Sequence, residues 1–317
     1  MLLACMVVLA HTNWLQNHRS VPVYLLGNGG LRLLVPMFCI MAGYFLYDAV
    51  QTNRRRKWLW RVLMLYGFWM LVYTPFWLPG VTDLHSLATT LLWGFFHLWF
   101  LIGLFFGGLA VICSDGLGRL IAPRHRLVVV GLVALICAVI GVIMQYATLS
   151  GLHEFALQRY RNGLFLCFPF VAMGYLMNPA VQHDRVPGAA ALAALAALGM
   201  AALLGEAWFA QARFGLYTMI DIPVSTYLAV PAIFLLCRHI RLPRPAVDLG
   251  MISASVYFMH IWAFRLADVF GVQSLAGLMA FGILVPALAG LAWSQLAAVL
   301  RPDRRRARPP EGPARAA

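Results

Sequence analysis

Long apolar runs separated by short polar connections make up almost the whole chain. A helix that crosses the hydrocarbon core of a bilayer needs about 20 mostly apolar residues. Stretches of about that length lie at residues 30–50, 58–78, 89–113, 127–147, 163–180, 188–210, 222–238, 249–270 and 275–299. The pattern predicts an all-α fold, a polytopic transmembrane helical bundle with nine full spans and a shorter opening run.

The opening run ends at His11 after ten mostly apolar residues. Ten helical residues extend about 15 Å, which is about half of the hydrocarbon core. A secretory signal would begin with a basic segment and end at a small-residue cleavage site, and this run does neither. We therefore expect about ten helices, the first of them N-terminally truncated, with His11 near the middle of the membrane.

Basic residues occur mainly in every second connection between the spans. These connections and the C-terminal tail carry 18 of the 24 Lys and Arg residues. They are Arg54, Arg55, Arg56, Lys57, Arg61, Arg119, Arg124, Arg126, Arg185, Arg238, Arg241, Arg244, Arg301, Arg304, Arg305, Arg306, Arg308 and Arg315. Because basic loops stay on the cytoplasmic side, the alternation predicts that both termini are cytoplasmic.

The composition agrees with a membrane protein. Hydrophobic residues make up 62% of the chain and charged residues 11%, whereas a soluble domain has about 25% charged residues. The basic residues behind the net charge of +13 lie mainly in alternate connections between the spans, as expected of a membrane protein. We therefore expect contact with membrane lipid and no nucleic-acid partner. We predict one integral-membrane domain over residues 1–299. Residues 300–317, rich in Arg and Pro, predict a disordered basic cytoplasmic tail near anionic lipid.

Ionisable residues inside apolar runs are costly, so they are candidates for function. A neutral imidazole at His11 has the chemistry of a general base that takes a proton from a hydroxyl group. A hydrogen-bonded core histidine is an equally good interpretation of His11 taken alone. The six cysteines lie in or beside apolar runs without paired spacing, so we expect no metal site.

A basic cluster opens the second full span, in the segment NRRRKWLWR. Arg56 or Lys57 lies about one helical turn from Arg61, and together they have the charge to bind the phosphates of a nucleotide. The alternative is that these residues only anchor the topology.

Two arginines lie at the ends of spans that face away from the basic connections. Arg32 lies just within one span, and Arg161 lies in the sequence YRNG just before another. They have the chemistry to hold a hydroxyl-rich or anionic acceptor. Structural pairing with Glu154 or Asp221 is the alternative.

Signatures of several other enzyme classes are missing from the sequence. We find no GxSxG, GxxxxGK[ST], HExxH or GxGxxG motif, which argues against a serine hydrolase, an ATP-driven pump, a zincin and a Rossmann enzyme.

Six segments, in order, resemble the acyltransferase-3 family of bacterial integral-membrane O-acyltransferases. They are MVVLAH ending at His11, RLLVPMFCIMAGYFL from Arg32, RRRKWLWR, HLWFL from His97, RNGLFLCFPFVAMGYLM from Arg161, and SASVYFMHIWAF with His260. The resemblance covers residues 1–299. It implies a ten-helix enzyme of the bacterial inner membrane that moves an acyl group, most often acetyl, from cytoplasmic acyl-CoA to a hydroxyl of an envelope carbohydrate.

The resemblance also implies roles for particular residues. His11 becomes the catalytic base, and Arg56, Lys57 and Arg61 become the acyl-CoA site. The substrate-binding residues implied on the acceptor side are Arg32, Arg161, Asn162 and His260, with packing as an alternative for His260.

One feature of the family pattern has no counterpart in the chain. The family pairs its histidine with an arginine eleven positions earlier, which would precede Met1. We expect a late start or an inactive protein to account for this difference. The basic cluster also departs from the family pattern. Lys57 and Arg61 are four residues apart, whereas the corresponding basic residues of the family are more often three residues apart.

A second class of function fits the same residues. In a non-enzymatic carrier or flippase for an envelope glycolipid or organic anion, the arginines and histidines would line a translocation path. Such a protein needs no acyl-CoA, so binding of acyl-CoA separates the two hypotheses.

Overall fold

The computed structural model describes residues 1–18, 20–154, 156–240, 245 and 247–299. The described residues are almost entirely helical. Their α-helices are α1 (Leu2–Ala10), α2 (Asn13–Asn17), α3 (Val21–Asn28), α4 (Leu34–Gln51), α5 (Arg55–Val72), α6 (Thr74–Trp77), α7 (Leu84–Trp93), α8 (Trp99–Ile121), α9 (Arg126–Leu149), α10 (Phe168–Gln182), α11 (Ala189–Phe214), α12 (Thr226–Cys237), α13 (Leu249–Val269) and α14 (Leu275–Val299). The expected disordered tail over residues 300–317 lies outside the described residues.

The predicted fold class, all-α and polytopic, is confirmed. Among the described residues, seven helical stretches are long and apolar enough to cross a membrane, and an eighth is formed if α5 and the segment after it are one bent span. The outward face of α9 is apolar, with Leu132, Leu135, Ile136 and Val139 exposed. A helix that presents such a face is suited to lipid rather than to water.

Three of the predicted spans need correction, two of them because turn residues interrupt apolar composition. The predicted span 89–113 begins later, at Phe96, since α7 ends at Gly94, which has a φ of 78°. The predicted span 58–78 is bent by 61° after α5, where Pro75 follows the helix end and proline cannot continue the hydrogen-bond ladder. The predicted span 222–238 contains only the 12-residue helix α12.

The described residues divide into two compact units, residues 1–16 with 245 and 247–299, and residues 17–240. In the first unit, α1 packs on α13 and α14. Ala4 and Val8 of α1 and Val256 of α13 are buried together against partly buried side chains of α13 and α14. Gly282 leaves room for this contact, because a Cβ there would meet the Val8 side chain at 2.5 Å.

In the second unit, α4, α8 and α10 run parallel. Gly103 and Gly107 of α8 lie next to Gly163 and Phe168 in the same chain direction. Asn178 of α10 donates to the Tyr44 carbonyl of α4 at 2.8 Å, and Gln182, one turn later, donates to Asp48, one turn after Tyr44, at 3.3 Å. The constant offset between these pairs defines the parallel direction. The predicted alternation of inward and outward spans requires the same direction for these helices.

Glycine allows α4 and α10 to touch through their backbones. A Cβ at Gly43 would overlap the Val171 carbonyl oxygen, and a Cβ at Gly174 would overlap the Ile40 carbonyl oxygen. We expect Gly43→Ala to lower the melting temperature of the purified protein by several degrees, because overpacking a helix contact costs about 1–3 kcal/mol. Thermal unfolding in detergent measures the effect.

The matched control is Gly67→Ala in α5, where nothing lies within 4 Å of the added Cβ. This variant should be neutral or slightly more stable, since alanine favours helix over glycine by about 0.5–1 kcal/mol. Equal melting temperatures for the two variants would contradict the close approach of α4 and α10.

Candidate active site

Two histidines that are 249 positions apart in the sequence meet in the first unit. His11 lies at the C-terminal end of α1, and His260 lies in the middle of α13 and is fully buried. His11 Nδ1 is 2.8 Å from His260 Nε2. The two rings are parallel within 5° with centroids 5.0 Å apart, so the contact lies near the plane of both rings, where an imidazole lone pair points.

Backbone carbonyls determine which nitrogen of each ring carries the proton. His260 Nδ1 lies 2.7 Å from the Tyr257 carbonyl oxygen and 3.2 Å from the Val256 carbonyl oxygen. A carbonyl oxygen only accepts hydrogen bonds, so Nδ1 of His260 is the protonated nitrogen. Nε2 of a neutral His260 then carries the lone pair and accepts from His11.

The same logic fixes the tautomer of His11. Its Nδ1 donates to His260, so in a neutral ring the lone pair is on Nε2. A neutral imidazole whose lone pair is held on one defined nitrogen, with the other nitrogen hydrogen-bonded, is arranged as a general base. The structure therefore gives His260 a contact with His11 that its predicted role in substrate binding did not include.

A second polar cluster lies in the second unit, at the N-terminal ends of α4, α8 and α10. Arg32 Nη1 donates to Asp221 Oδ1 at 2.7 Å, and Arg161 Nη1 lies 3.8 Å from the same oxygen. The Arg161 guanidinium also lies over the Trp99 ring, 5.0 Å from its centroid. We call Arg32, Asp221, Arg161 and Tyr160 the Asp221 cluster.

The structure thus brings together the two arginines that the sequence predicted as acceptor-binding. It also shows the pairing with Asp221 that the sequence analysis named as the alternative. Acceptor binding stays a prediction: Asp221 pairs with both arginines, and each guanidinium has more donors than this pairing uses.

Asp221 belongs to an extended segment between α11 and α12 that side chains hold in place. Gln145 Oε1 accepts from the backbone N–H groups of Asp221 and Ile222, each at 2.7 Å. Glu206 accepts from the backbone N–H groups of Val224 and Ser225 at 2.8 and 2.9 Å. Buried backbone N–H groups outside a helix need such partners, so these bonds allow the segment before α12 to remain extended.

Asn162 has a local role in the structure. Its Oδ1 accepts from the backbone N–H groups of Leu164 and Phe165, both at 2.9 Å. Its Nδ2 donates to the carbonyl oxygens of Gln158 and Arg159, both at 3.0 Å. The first two bonds cap the π-helical turn Gly163–Cys167 that precedes α10, and the other two join Asn162 to the preceding turn Leu157–Arg159. The predicted contact of Asn162 with substrate receives no support from this geometry.

The basic cluster lies at the N-terminal end of α5, where Arg56, Lys57 and Arg61 are all exposed. Among the described residues, none of these three side chains forms an ion pair. Trp58 packs against Gly108 of α8, where a Cβ would overlap the indole ring. At about 100° per residue, Arg61 lies about 60° and Lys57 about 100° around α5 from Trp58, whereas Arg56 lies about 160° away.

A third cluster, which the sequence analysis missed, lies at the other end of α4, α8 and α10. The Asp115 carboxylate is 2% exposed and accepts from Arg119 Nε at 2.7 Å and from Arg126 Nη1 at 3.3 Å. The sequence did contain a signal for this cluster. Asp115 is a carboxylate within an apolar run, and basic residues follow it four and eleven positions later.

The fold and these contacts define a class of protein: a polytopic membrane protein in which a partly buried histidine at the end of α1 is hydrogen-bonded to a buried histidine of α13. Among the residues that the structure describes, no group of three or more His, Cys, Asp or Glu side chains is placed to hold a metal ion.

The family model of the acyltransferase-3 family, described as an acyltransferase domain, matches residues 1–296. The chain belongs to this family and is a membrane acyltransferase. The resemblance seen in the sequence is confirmed, and membership supports the enzyme rather than the non-enzymatic carrier. Searches of curated proteins and of solved structures returned no match.

Proposed function

We propose that this acyltransferase moves an acyl group, in the first instance acetyl, from cytoplasmic acyl-CoA to a hydroxyl of an envelope carbohydrate in the bacterial inner membrane. The observation that carries the proposal is the hydrogen bond between His11 and His260. It leaves a defined lone pair on His11 Nε2, and transfer to a hydroxyl group needs a base that removes the hydroxyl proton.

In the proposed reaction, His11 Nε2 takes the proton as the hydroxyl oxygen attacks the thioester carbonyl carbon. A new carbon–oxygen bond forms, and the carbon–sulfur bond breaks. The CoA thiolate leaves with the electron pair of the broken bond and takes up the proton from the His11 imidazolium. Atoms and charge balance, and His11 returns to its starting state.

His260 is a positioning residue in this proposal. Its Nε2 accepts from His11 Nδ1, and its own Nδ1–H donates to the Tyr257 carbonyl. The chain of two hydrogen bonds orients the His11 ring and holds the tautomer that can accept a proton. This role replaces the predicted one of substrate binding.

The acyl-CoA site in the proposal is the side of the basic cluster that carries Lys57 and Arg61, nearer to Trp58, whereas Arg56 lies on the far side of α5. Its cations lie at a helix N-terminus, where backbone N–H groups and the helix dipole add positive potential and favour phosphate. Basic loops lie on the cytoplasmic side, which is also the side that contains acyl-CoA.

We expect Arg61→Ala to raise the KM for acetyl-CoA about tenfold or more, because a hydrogen bond from arginine to phosphate contributes about 1.5–3 kcal/mol. The kcat should change little. Steady-state kinetics of the purified enzyme with varied acetyl-CoA measure both constants.

Arg56→Ala is the matched control, because it removes the same charge from the same helix on the face that points away from Trp58. Its KM should change less than that of Arg61→Ala. An equal rise in both variants would indicate a general electrostatic effect, and no rise in either would remove the acyl-CoA site from α5.

The proposed function is tested by measuring mild-alkali-labile acyl groups on envelope glycans of a deletion strain. Complementation with the wild-type gene should restore the ester, and the acid released by alkali identifies the acyl group. A glycan ester content that does not change on deletion would contradict a carbohydrate acceptor. Transfer that continues without acyl-CoA in washed membranes would contradict the donor.

A further inference from the structure

Two polar clusters of the second unit contain the same kinds of residue but differ in how the aspartate is paired. Each has a buried aspartate, two arginines and a buried tyrosine, and they lie at opposite ends of the parallel helices α4, α8 and α10. The Asp115 cluster contains Arg119, Arg126 and Tyr175. In both clusters the tyrosine hydroxyl is buried and, among the described residues, has no hydrogen-bond partner. The comparison is therefore between a closed cluster, in which both oxygens of Asp115 are paired, and an open one, in which only one oxygen of Asp221 is paired.

In the Asp115 cluster both carboxylate oxygens have a guanidinium donor, Arg119 on Oδ2 and Arg126 on Oδ1. In the Asp221 cluster both arginines approach the same oxygen, Oδ1. Among the described residues, Asp221 Oδ2 is buried and has no hydrogen-bond partner. Buried carboxylate oxygens are normally satisfied, so this oxygen marks a place for a ligand donor.

Two hydrogen-bond donors of the Asp221 cluster are also buried without a partner among the described residues. Arg32 Nε and the Tyr160 hydroxyl are buried, and within the described part of the chain neither has a partner. Burial raises the pKa of Tyr160 to about 12, so its hydroxyl keeps its proton and is a donor. The cluster therefore lacks one donor, for Asp221 Oδ2, and two acceptors, for Arg32 and Tyr160.

We infer that the Asp221 cluster binds the hydroxyl groups of a neutral sugar, and that it selects neutral over anionic acceptors. The inference rests on the proposed function, since it names the acceptor class of that reaction. A sugar hydroxyl both donates and accepts, so adjacent hydroxyls donate to Asp221 Oδ2 and accept from Arg32 and Tyr160. A carboxylate or phosphate has no proton to donate to Asp221 Oδ2 and repels its charge.

The arrangement around Arg161 agrees with this ligand. Its guanidinium stacks on Trp99 and is 3.8 Å from Asp221 Oδ1, which is longer than a hydrogen bond. The charge of Arg161 is thus partly balanced by Asp221.

The test is saturation-transfer difference NMR on the purified wild-type protein in nanodiscs, without acyl-CoA. The probes are methyl α-D-glucopyranoside, which is neutral, and methyl α-D-glucopyranosiduronate, the same glycoside with a free C6 carboxylate, called the glucuronate below. We expect the neutral glucoside to bind at least tenfold more tightly than the glucuronate. Asp221→Asn replaces one acceptor oxygen by an N–H donor and removes the charge, so it should reverse this preference. Equal binding of the two probes, or binding of neither, would overturn the inference.

The matched control is Asp115→Asn, which makes the same change in the closed cluster and should leave the probe preference as in the wild type. A changed probe preference in both variants would show that the change results from a general disturbance of the fold and not from the Asp221 cluster. If Asp221→Asn does not fold, Tyr160→Phe removes a single hydroxyl and should weaken glucoside binding about three- to tenfold, while Tyr175→Phe should not. An unchanged affinity in Tyr160→Phe would then count against the site.

The two proposals fail separately in these experiments. Sugar binding with the expected preference, but without transfer from acetyl-CoA, would contradict the proposed function and leave the binding site in place. Transfer from acetyl-CoA to the glucuronate as readily as to the glucoside would contradict the selectivity and leave the acyltransferase reaction in place.

Discussion

His11→Ala should lower the rate of acyl transfer by about 10²- to 10⁴-fold, the range contributed by one general base. Alanine removes the Nε2 lone pair on which the proposed proton transfer depends. The side chain lies at the end of α1, beyond the buried contacts of Ala4 and Val8, so the variant should still fold. The measurement is release of mild-alkali-labile [14C]acetate from glycans after incubation with [14C]acetyl-CoA.

Two further variants make this result interpretable. His85→Ala removes an exposed histidine from α7 and should keep full activity. His11→Gln keeps a polar side chain of similar length but has no basic nitrogen, so it should be as inactive as His11→Ala. Substantial transfer in His11→Gln, with normal protein levels and a normal size-exclusion profile, would show that His11 contributes hydrogen bonding and not proton transfer.

The helical class and most of the spans could be predicted from the sequence because lipid imposes a minimum apolar length on every spanning helix. The errors occur where composition stays apolar but the backbone turns. Gly94 ends α7 inside an apolar run, and a Cβ there would meet the Trp99 backbone at 2.8 Å. A scan of hydropathy does not detect a single glycine of this kind.

The extended segment before α12 has a different cause. Its backbone N–H groups bond to Gln145 and Glu206, which come from two other helices. Such long-range compensation depends on the tertiary arrangement, so the apolar residues 222–238 predicted a longer helix than the one that forms.

The candidate site shows the same division between local and long-range information. His11 was evident because an ionisable residue at the end of an apolar run is unusual. Its hydrogen bond to His260 joins positions that are 249 apart, and no local pattern indicates it. Asp221 was named as one of two partners for the arginines, and only the structure shows that it accepts from Arg32.

His260→Leu should lower kcat about 10- to 100-fold, the range expected for a residue that orients a reactive imidazole through one hydrogen bond. Leucine fills much of the buried space but offers no acceptor to His11 Nδ1. His11 then also adopts the tautomer with its proton on Nε2, which cannot take a proton from the acceptor. Steady-state kinetics with varied acceptor separate this effect on kcat from the rise in KM expected of a substrate-binding residue.

His260→Gln is the conservative variant, because its amide oxygen offers an acceptor at a similar distance from the backbone. Its kcat should stay within about threefold of wild type, since the hydrogen bond to His11 is retained. Phe258→Leu, at another buried position of α13, controls for altered packing and should keep kcat. The 15N spectrum of histidine-labelled protein should show His11 protonated on Nδ1 in the wild type and in His260→Gln, and a mixture of tautomers in His260→Leu. A wild-type kcat in His260→Leu would show that His260 only packs, and a change in acceptor KM alone would show that it binds substrate. In either case His11 would act without a positioning partner.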